Sequence, residues 1–154
     1  MTNLCSDVLN RLAGKSLVTA ESLTGGGIGA SLTAVSGSSV VYKGGVICYT
    51  NWVKQNILGV PEDVLSTWGA VSEPTAKAMA EGVRKLLQAD VSLAVTGLAG
   101  PGGDEFGHPV GTVFIGCALE DKTVVRHHYF SGSREEVRKQ TVGAALKLAL
   151  EVIN

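Results

Sequence analysis

Apolar positions recur along this chain at two spacings, one helical and one alternating. Leu4, Val8 and Leu12 fall at i, i+4 and i+8 with Gly14 behind them, which predicts an opening helix closed by a glycine C-cap. Ser16 to Ala20 predicts a brief strand, and Glu21 to Gly26 a turn into a small-residue helix near Gly27 to Val35. Val40 to Tyr49 is rich in β-branched and aromatic residues, but Gly44 and Gly45 interrupt it, so a bulge or close backbone approach is expected there. Asn51 is placed to cap a helix through about Leu58, with Val53 and Ile57 on one face, Lys54 in the first turn, and Gly59 and Pro61 as the stop. A short helical turn follows Pro61.

Ser72 then caps a helix whose Ala76, Met79, Ala80, Val83, Leu86 and Leu87 make an apolar stripe. Val91 to Thr96 predicts an apolar strand. It ends in the Gly/Pro-rich stretch Leu98 to Gly111, which is too long to be mere connection. Thr112 to Leu119 and Thr123 to Phe130 predict a hairpin turning at Glu120 to Lys122. Ser133 with Glu136 forms a capping box ahead of Val137, Thr141, Ala144, Ala145, Leu148 and Val152 at helical spacing. Strands separated by helices, plus one hairpin, predict an α/β fold: a single layered domain over 1–154, its mixed β-sheet flanked by helices on both faces. In such sheets, sites gather at strand ends.

Composition narrows the partners. The chain has 154 residues, 13 Lys plus Arg against 14 Asp plus Glu, and a net charge of -1. With no Lys/Arg run, neither nucleic acid nor an electrostatically held membrane face fits, and a small polar partner is expected. No apolar run approaches the ~18 residues of a membrane helix. The first residues lack the basic and long apolar regions of a secretory leader. Cys5, Cys48 and Cys117 form an odd set without CxxC, which reads as reduced thiols, and a cytoplasmic location is expected. Trp52 and Trp68, both after the second glycine cluster, either anchor an interface, giving a homo-oligomer, or pack in the core.

The glycine clusters frame the candidate chemistry. Gly25, Gly27 and Ala30 fit G-x-G-x-x-A, but no Asp or Glu lies between Ser22 and Pro61 to meet a ribose, so a dinucleotide fold is set aside. No P-loop is present. What remains is a glycine-lined helix start with Ser22 and Thr24 beside it, either an ordinary N-cap or a place where free N–H groups hold an anion or oxyanion. A serine nucleophile needs a base. His127 and His128 are adjacent on a strand and face opposite sides, His108 lies in the long loop, and no acidic residues are spaced with them as a metal set. Carboxylates near the glycines are limited to Glu21, Asp104 and Glu105. Lys54 is the remaining base if desolvation lowers its pKa, and otherwise a solvated helix lysine.

Thr19 to Gly26 (Thr-Ala-Glu-Ser-Leu-Thr-Gly-Gly), Gly44 to Asn51 with Lys54, Gly69 to Ser72, and Thr96 to Gly103 with Pro109 to Thr112 together resemble the CinA C-terminal domain family, from about Leu4 onward. The resemblance implies hydrolysis of the carboxamide of nicotinamide mononucleotide to nicotinate mononucleotide and ammonia, with no metal or organic cofactor. It implies Ser22 as nucleophile, Lys54 as its base and Tyr49 as a proton relay or orienting group. Backbone N–H groups of Gly25 and Gly26 are expected to hold the oxyanion beside Thr24. Thr96, Gly100, Gly102, Gly103 and Arg134 are expected to meet the phosphate. Leu23 departs from the family pattern, where Cys usually follows the serine. A non-catalytic nucleotide-binding or regulatory module of the same family is the alternative.

Overall fold

A computed structural model describes residues 1–153. Its elements run α1 (Thr2–Arg11), β1 (Leu17–Glu21), α2 (Gly27–Thr33), β2 (Tyr42–Ile47), α3 (Asn51–Asn56), α4 (Glu62–Trp68), α5 (Glu73–Leu86), β3 (Val91–Gly97), β4 (Thr112–Ala118), β5 (Thr123–Tyr129) and α6 (Arg134–Val152). The sheet order is β2-β1-β3-β4-β5. β1 pairs in parallel with both β2 and β3, whereas β4 and β5 join in antiparallel fashion, so the sheet is mixed and the fold is α/β as expected.

Each face is covered because the three central strands β1, β3 and β4 alternate two apolar sets. Leu17, Leu93, Val95, Val113, Ile115 and Cys117 meet α1, α2 and α6 in the larger core; Val18, Ala20, Ala94 and Ala118 meet Leu58, Leu65 and the Met79, Ala80 and Val83 stripe of α5 in the second. Cys5, Cys48 and Cys117 are buried free thiols, and burial pushes the last two up to about 11 and about 12.

Several boundaries differ from the sequence reading for local reasons. α1 ends at Arg11 and Leu12 is its C-cap, not Gly14. β2 is shorter than Val40 to Tyr49, because Ser38–Val40 forms a 3-10 turn. The expected bulge is present: Leu17 pairs with Tyr42 and Val18 with Gly44, so Lys43 is skipped. α3 begins after Thr50 with no side-chain cap, so Asn51 is its first residue instead of its cap. Ser72 accepts from the Thr75 N–H and caps α5, and Ser133 and Glu136 form both bonds of the capping box on α6.

The chain leaves β1 for β2 on one side and later returns to β3 on the other. The carboxyl end of β1 is therefore a topological switch point, where a crevice opens in this class of sheet. Among the described residues, no helix is long and apolar enough to cross a membrane.

Candidate active site

Ser22 is the first residue after β1 and sits at that switch point, with its N–H bonded to the Val95 carbonyl of β3. It lines a cavity of about 500 Å3, within the size of small-molecule sites. The ends of β1, β2 and β3 build the walls: Ser22 and Leu23, then Tyr49, Asn51 and Lys54, then Thr96 to Gly100 with Asp104, Glu105, Phe106 and Arg134. Phe106 packs its ring on Gly69, at a distance a side chain there would close.

Lys54 is 1% exposed, so it is not the solvated helix lysine. Its Nζ donates to the Cys48 carbonyl at 2.7 Å, the Ser22 hydroxyl at 2.9 Å and the Tyr49 carbonyl at 3.4 Å. No carboxylate forms an ion pair with it among the described residues. Burial lowers its pKa from the usual lysine value, with the neighbouring Cys48 opposing the shift. A neutral amine has two N–H groups and one lone pair. The two carbonyls match the N–H groups, and the lone pair is left for the Ser22 O–H.

The remaining expected residues divide into those at the cavity and those beside it. The Tyr49 side chain is 59% exposed and its hydroxyl accepts from Arg134 at 3.2 Å; it is the Tyr49 carbonyl that meets Lys54. Arg134 also donates to the Gly100 carbonyl at 2.7 Å, tying α6 to the loop after β3. Gly100 and Gly102 line the cavity, but Gly103 faces the His108 carbonyl instead. Thr96 lines the cavity, yet its hydroxyl donates to the Ala70 carbonyl at 2.7 Å and joins β3 to the segment before α5.

Two expectations for the glycine turn need correction. α2 has Gly26 as N-cap with no side-chain cap bond, so Ser22 is not an ordinary N-cap. Of the two expected oxyanion donors, Gly25 has its N–H already engaged. The Gly25 N–H donates to the Ser22 carbonyl at 3.2 Å, Gly26 faces Ile47, and the Thr24 hydroxyl donates to Glu21 at 2.8 Å. None of these three residues lines the cavity. The N–H groups of Leu23, Thr24 and Gly26 have no acceptor among the described residues, and of these residues Leu23 lines the cavity.

Sequence reasoning passed over Arg138, which donates to the Leu23 carbonyl at 3.0 Å and the Thr24 carbonyl at 3.3 Å. Its signal was its place one helical turn beyond Arg134. Asp104 is more than a loop carboxylate. It accepts from the His108 ring at 2.7 Å and from two backbone N–H groups; burial works against its charge, but these bonds hold its pKa below the usual carboxylate value. His127 stacks on Phe114 and His128 on Phe130, on opposite faces of β5. Burial, with the charges of His127 and Arg126, lowers the His128 pKa. Trp52 and Trp68 are 64% and 56% exposed, which removes the core-packing alternative. Among the described residues, no group of three or more His, Cys, Asp or Glu could hold a metal ion.

Comparison with known proteins places this geometry. The family model described as the CinA C-terminal domain matches residues 2–153. A Bacillus cereus (strain AH187) relative named for competence-damage induction is 53% identical over 129 residues, covering 83% of this chain and 31% of that protein. A Bacillus anthracis (strain CDC 684 / NRRL 3495) relative with the same name is 50% identical over 135 residues, covering 87% of this chain and 32% of its own length. The chain therefore spans about a third of the curated relatives it matches. A CinA superfamily crystal structure from Klebsiella pneumoniae superposes with a TM-score of 0.96 at 34% identity, over 99% of this chain and 96% of that one. A competence/damage inducible protein from Agrobacterium tumefaciens gives a TM-score of 0.90 at 39% identity, over 97% and 93% of the two chains.

Proposed function

The chain belongs to the CinA C-terminal domain family, and on that premise we propose that it is a metal-independent serine-lysine amidase that hydrolyses nicotinamide mononucleotide. The observation that carries the reading is the 2.9 Å contact between Ser22 and a buried Lys54 that has no ion-pair partner among the described residues.

The chemistry follows from that contact. The Lys54 lone pair takes the Ser22 proton as the hydroxyl oxygen attacks the carboxamide carbon. The oxyanion then develops beside the open N–H group of Leu23, the residue of this turn that lines the cavity with Ser22. Preorganised donors of this kind are usually worth about 3–4 kcal/mol each. Collapse breaks the C–N bond, and Lys54 gives its proton to the departing nitrogen, releasing ammonia. Water attacks the resulting ester, Lys54 takes the water proton and returns it to Ser22, and nicotinate mononucleotide leaves.

Arg134 and the Gly100 to Gly102 backbone are the groups suited to a phosphate, since a guanidinium fork binds phosphate oxygens in pairs. The exposed Trp52 and Trp68 support an assembly of identical copies.

The test is incubation of the purified chain with nicotinamide mononucleotide, with and without chelator, followed by chromatography of the products. Nicotinate mononucleotide formed at equal rates in both arms is the expected result. Thermal protection by the nucleotide without product would replace the amidase with a nucleotide-binding module.

A further inference from the structure

Glu21 is 2% exposed, yet it takes no part in the serine-lysine chemistry. Its carboxylate instead collects four donors. Oε1 accepts from the Thr24 hydroxyl at 2.8 Å and the Ile28 N–H at 2.7 Å; Oε2 accepts from the Gly29 N–H at 3.0 Å and the Thr19 hydroxyl at 3.2 Å. Thr19 in turn shares a 2.7 Å hydrogen bond with the Tyr42 hydroxyl of β2. One carboxylate thus joins β1, the turn after it, the first turn of α2 and, through Thr19, strand β2.

The surroundings leave room for this network. A Cβ at Gly29 would lie 2.7 Å from the Tyr42 hydroxyl, and one at Gly45 would lie 2.7 Å from the Thr19 carbonyl. Larger residues at either position would push these polar groups apart.

Ser22 sits between two restraints. On the inner side Glu21 holds Thr24, Ile28 and Gly29, while the Glu21 carbonyl accepts from the Cys48 N–H at 2.9 Å. On the outer side Arg138 holds the carbonyls of Leu23 and Thr24. With those carbonyls pinned and the Gly25 N–H returned to Ser22, the peptide planes of the turn are fixed, and with them the directions of the Leu23 and Thr24 N–H groups.

Resting on the reading of Ser22 as nucleophile, we infer that Glu21 is a positioning residue that locks the turn carrying the nucleophile and its open backbone donors. It touches no substrate and acts through the turn. Loss of one locked geometry of this kind costs up to about 100-fold in rate while leaving ground-state contacts in place.

The test is the rate at which a small sulfonyl fluoride labels Ser22, followed by mass spectrometry, in the parent, Glu21→Gln and Glu21→Ala. Turnover of nicotinamide mononucleotide is measured alongside. Both Glu21 variants should label at least about tenfold more slowly, with kcat falling in parallel and KM within about threefold of the parent. Should they fail to fold, Thr24→Val removes one bond to the carboxylate and should slow labelling, and Thr24→Ser, which keeps the hydroxyl, should restore it. Labelling at the parental rate in Glu21→Gln, a loss confined to KM, or equal rates in Thr24→Val and Thr24→Ser would overturn the inference. Labelling needs no nucleotide, so a parent that labels but releases no ammonia refutes the amidase reading and leaves the comparison among variants to decide on Glu21.

Discussion

Lys54 concentrates the physics of the site in one side chain. Burial without a carboxylate partner favours its neutral form, so its pKa in the folded chain lies below the ordinary 10.5. Only the neutral amine can take the Ser22 proton. The acidic limb of kcat/KM should therefore rise with pH through that lowered pKa and level above it, and Lys54→Met should lose the limb together with the activity. Stability follows the same titration. Between the lowered folded pKa and 10.5 the unfolded chain binds more protons than the folded one, so folding becomes more favourable as pH rises across that window. Denaturant midpoints of the parent should gain on those of Lys54→Met over that range; parallel midpoints would mean that the amine titrates normally.

The sequence pointed to Ser22 through a short strand ending in a tight, small-residue turn, and to Lys54 chiefly by elimination and resemblance. The burial of Lys54 was not legible, because it depends on where the ends of β1 and β2 bring Ser22 and the carbonyls of Cys48 and Tyr49. The fate of Gly25 and Gly26 was hidden for a similar reason. A glycine pair signals freedom of the backbone, and here both residues adopt positive φ, but the freedom serves the turn into α2 and not a cavity wall.

At the scale of elements, helix ends and close approaches set the walls of the site. α6 carries Arg134 inside its Ser133 and Glu136 capping box and Arg138 one turn further along. Ser133→Ala should cost about 1 kcal/mol of stability, read from denaturant unfolding. Through the two arginines it should also weaken nucleotide protection against heat, whereas Gln140→Ala further along α6 should not weaken it. α5 approaches the segment after α3 so closely that a Cβ at Gly82 would overlap the Leu58 carbonyl. Gly82→Ala should destabilise by about 1–3 kcal/mol despite the higher helix propensity of alanine, because overpacking outweighs propensity here. A stabilised variant would show that the approach is loose.

The elements themselves were largely readable, since the stripes of α5 and α6 and the apolar run of β3 each keep one period. Boundaries moved where one residue type served two uses. Leu12, and not Gly14, closes α1, and Asn51 begins α3 instead of capping it.

For the whole molecule, the mixed sheet brings three strand ends to one crevice, and the cavity of about 500 Å3 there is lined by Ser22, Lys54 and Arg134 together. The order of strands was not legible in the sequence, because hydrophobic spacing says which face a residue takes and not which strand lies beside it. If Trp52 and Trp68 mark a contact between copies, the chain should elute as a multimer on size-exclusion chromatography, and Trp52→Glu should move it toward the monomer. An unchanged monomeric elution in both would remove the assembly.

The central claim is that Ser22, activated by Lys54, cleaves the carboxamide. Its most direct test is the rate of ammonia release from nicotinamide mononucleotide by the parent chain and by Ser22→Ala under identical conditions. Steady release by the parent and a loss of at least about 1,000-fold in the variant are expected, with nucleotide protection against heat retained. Release that survives the substitution, or a folded parent that releases none, would contradict it.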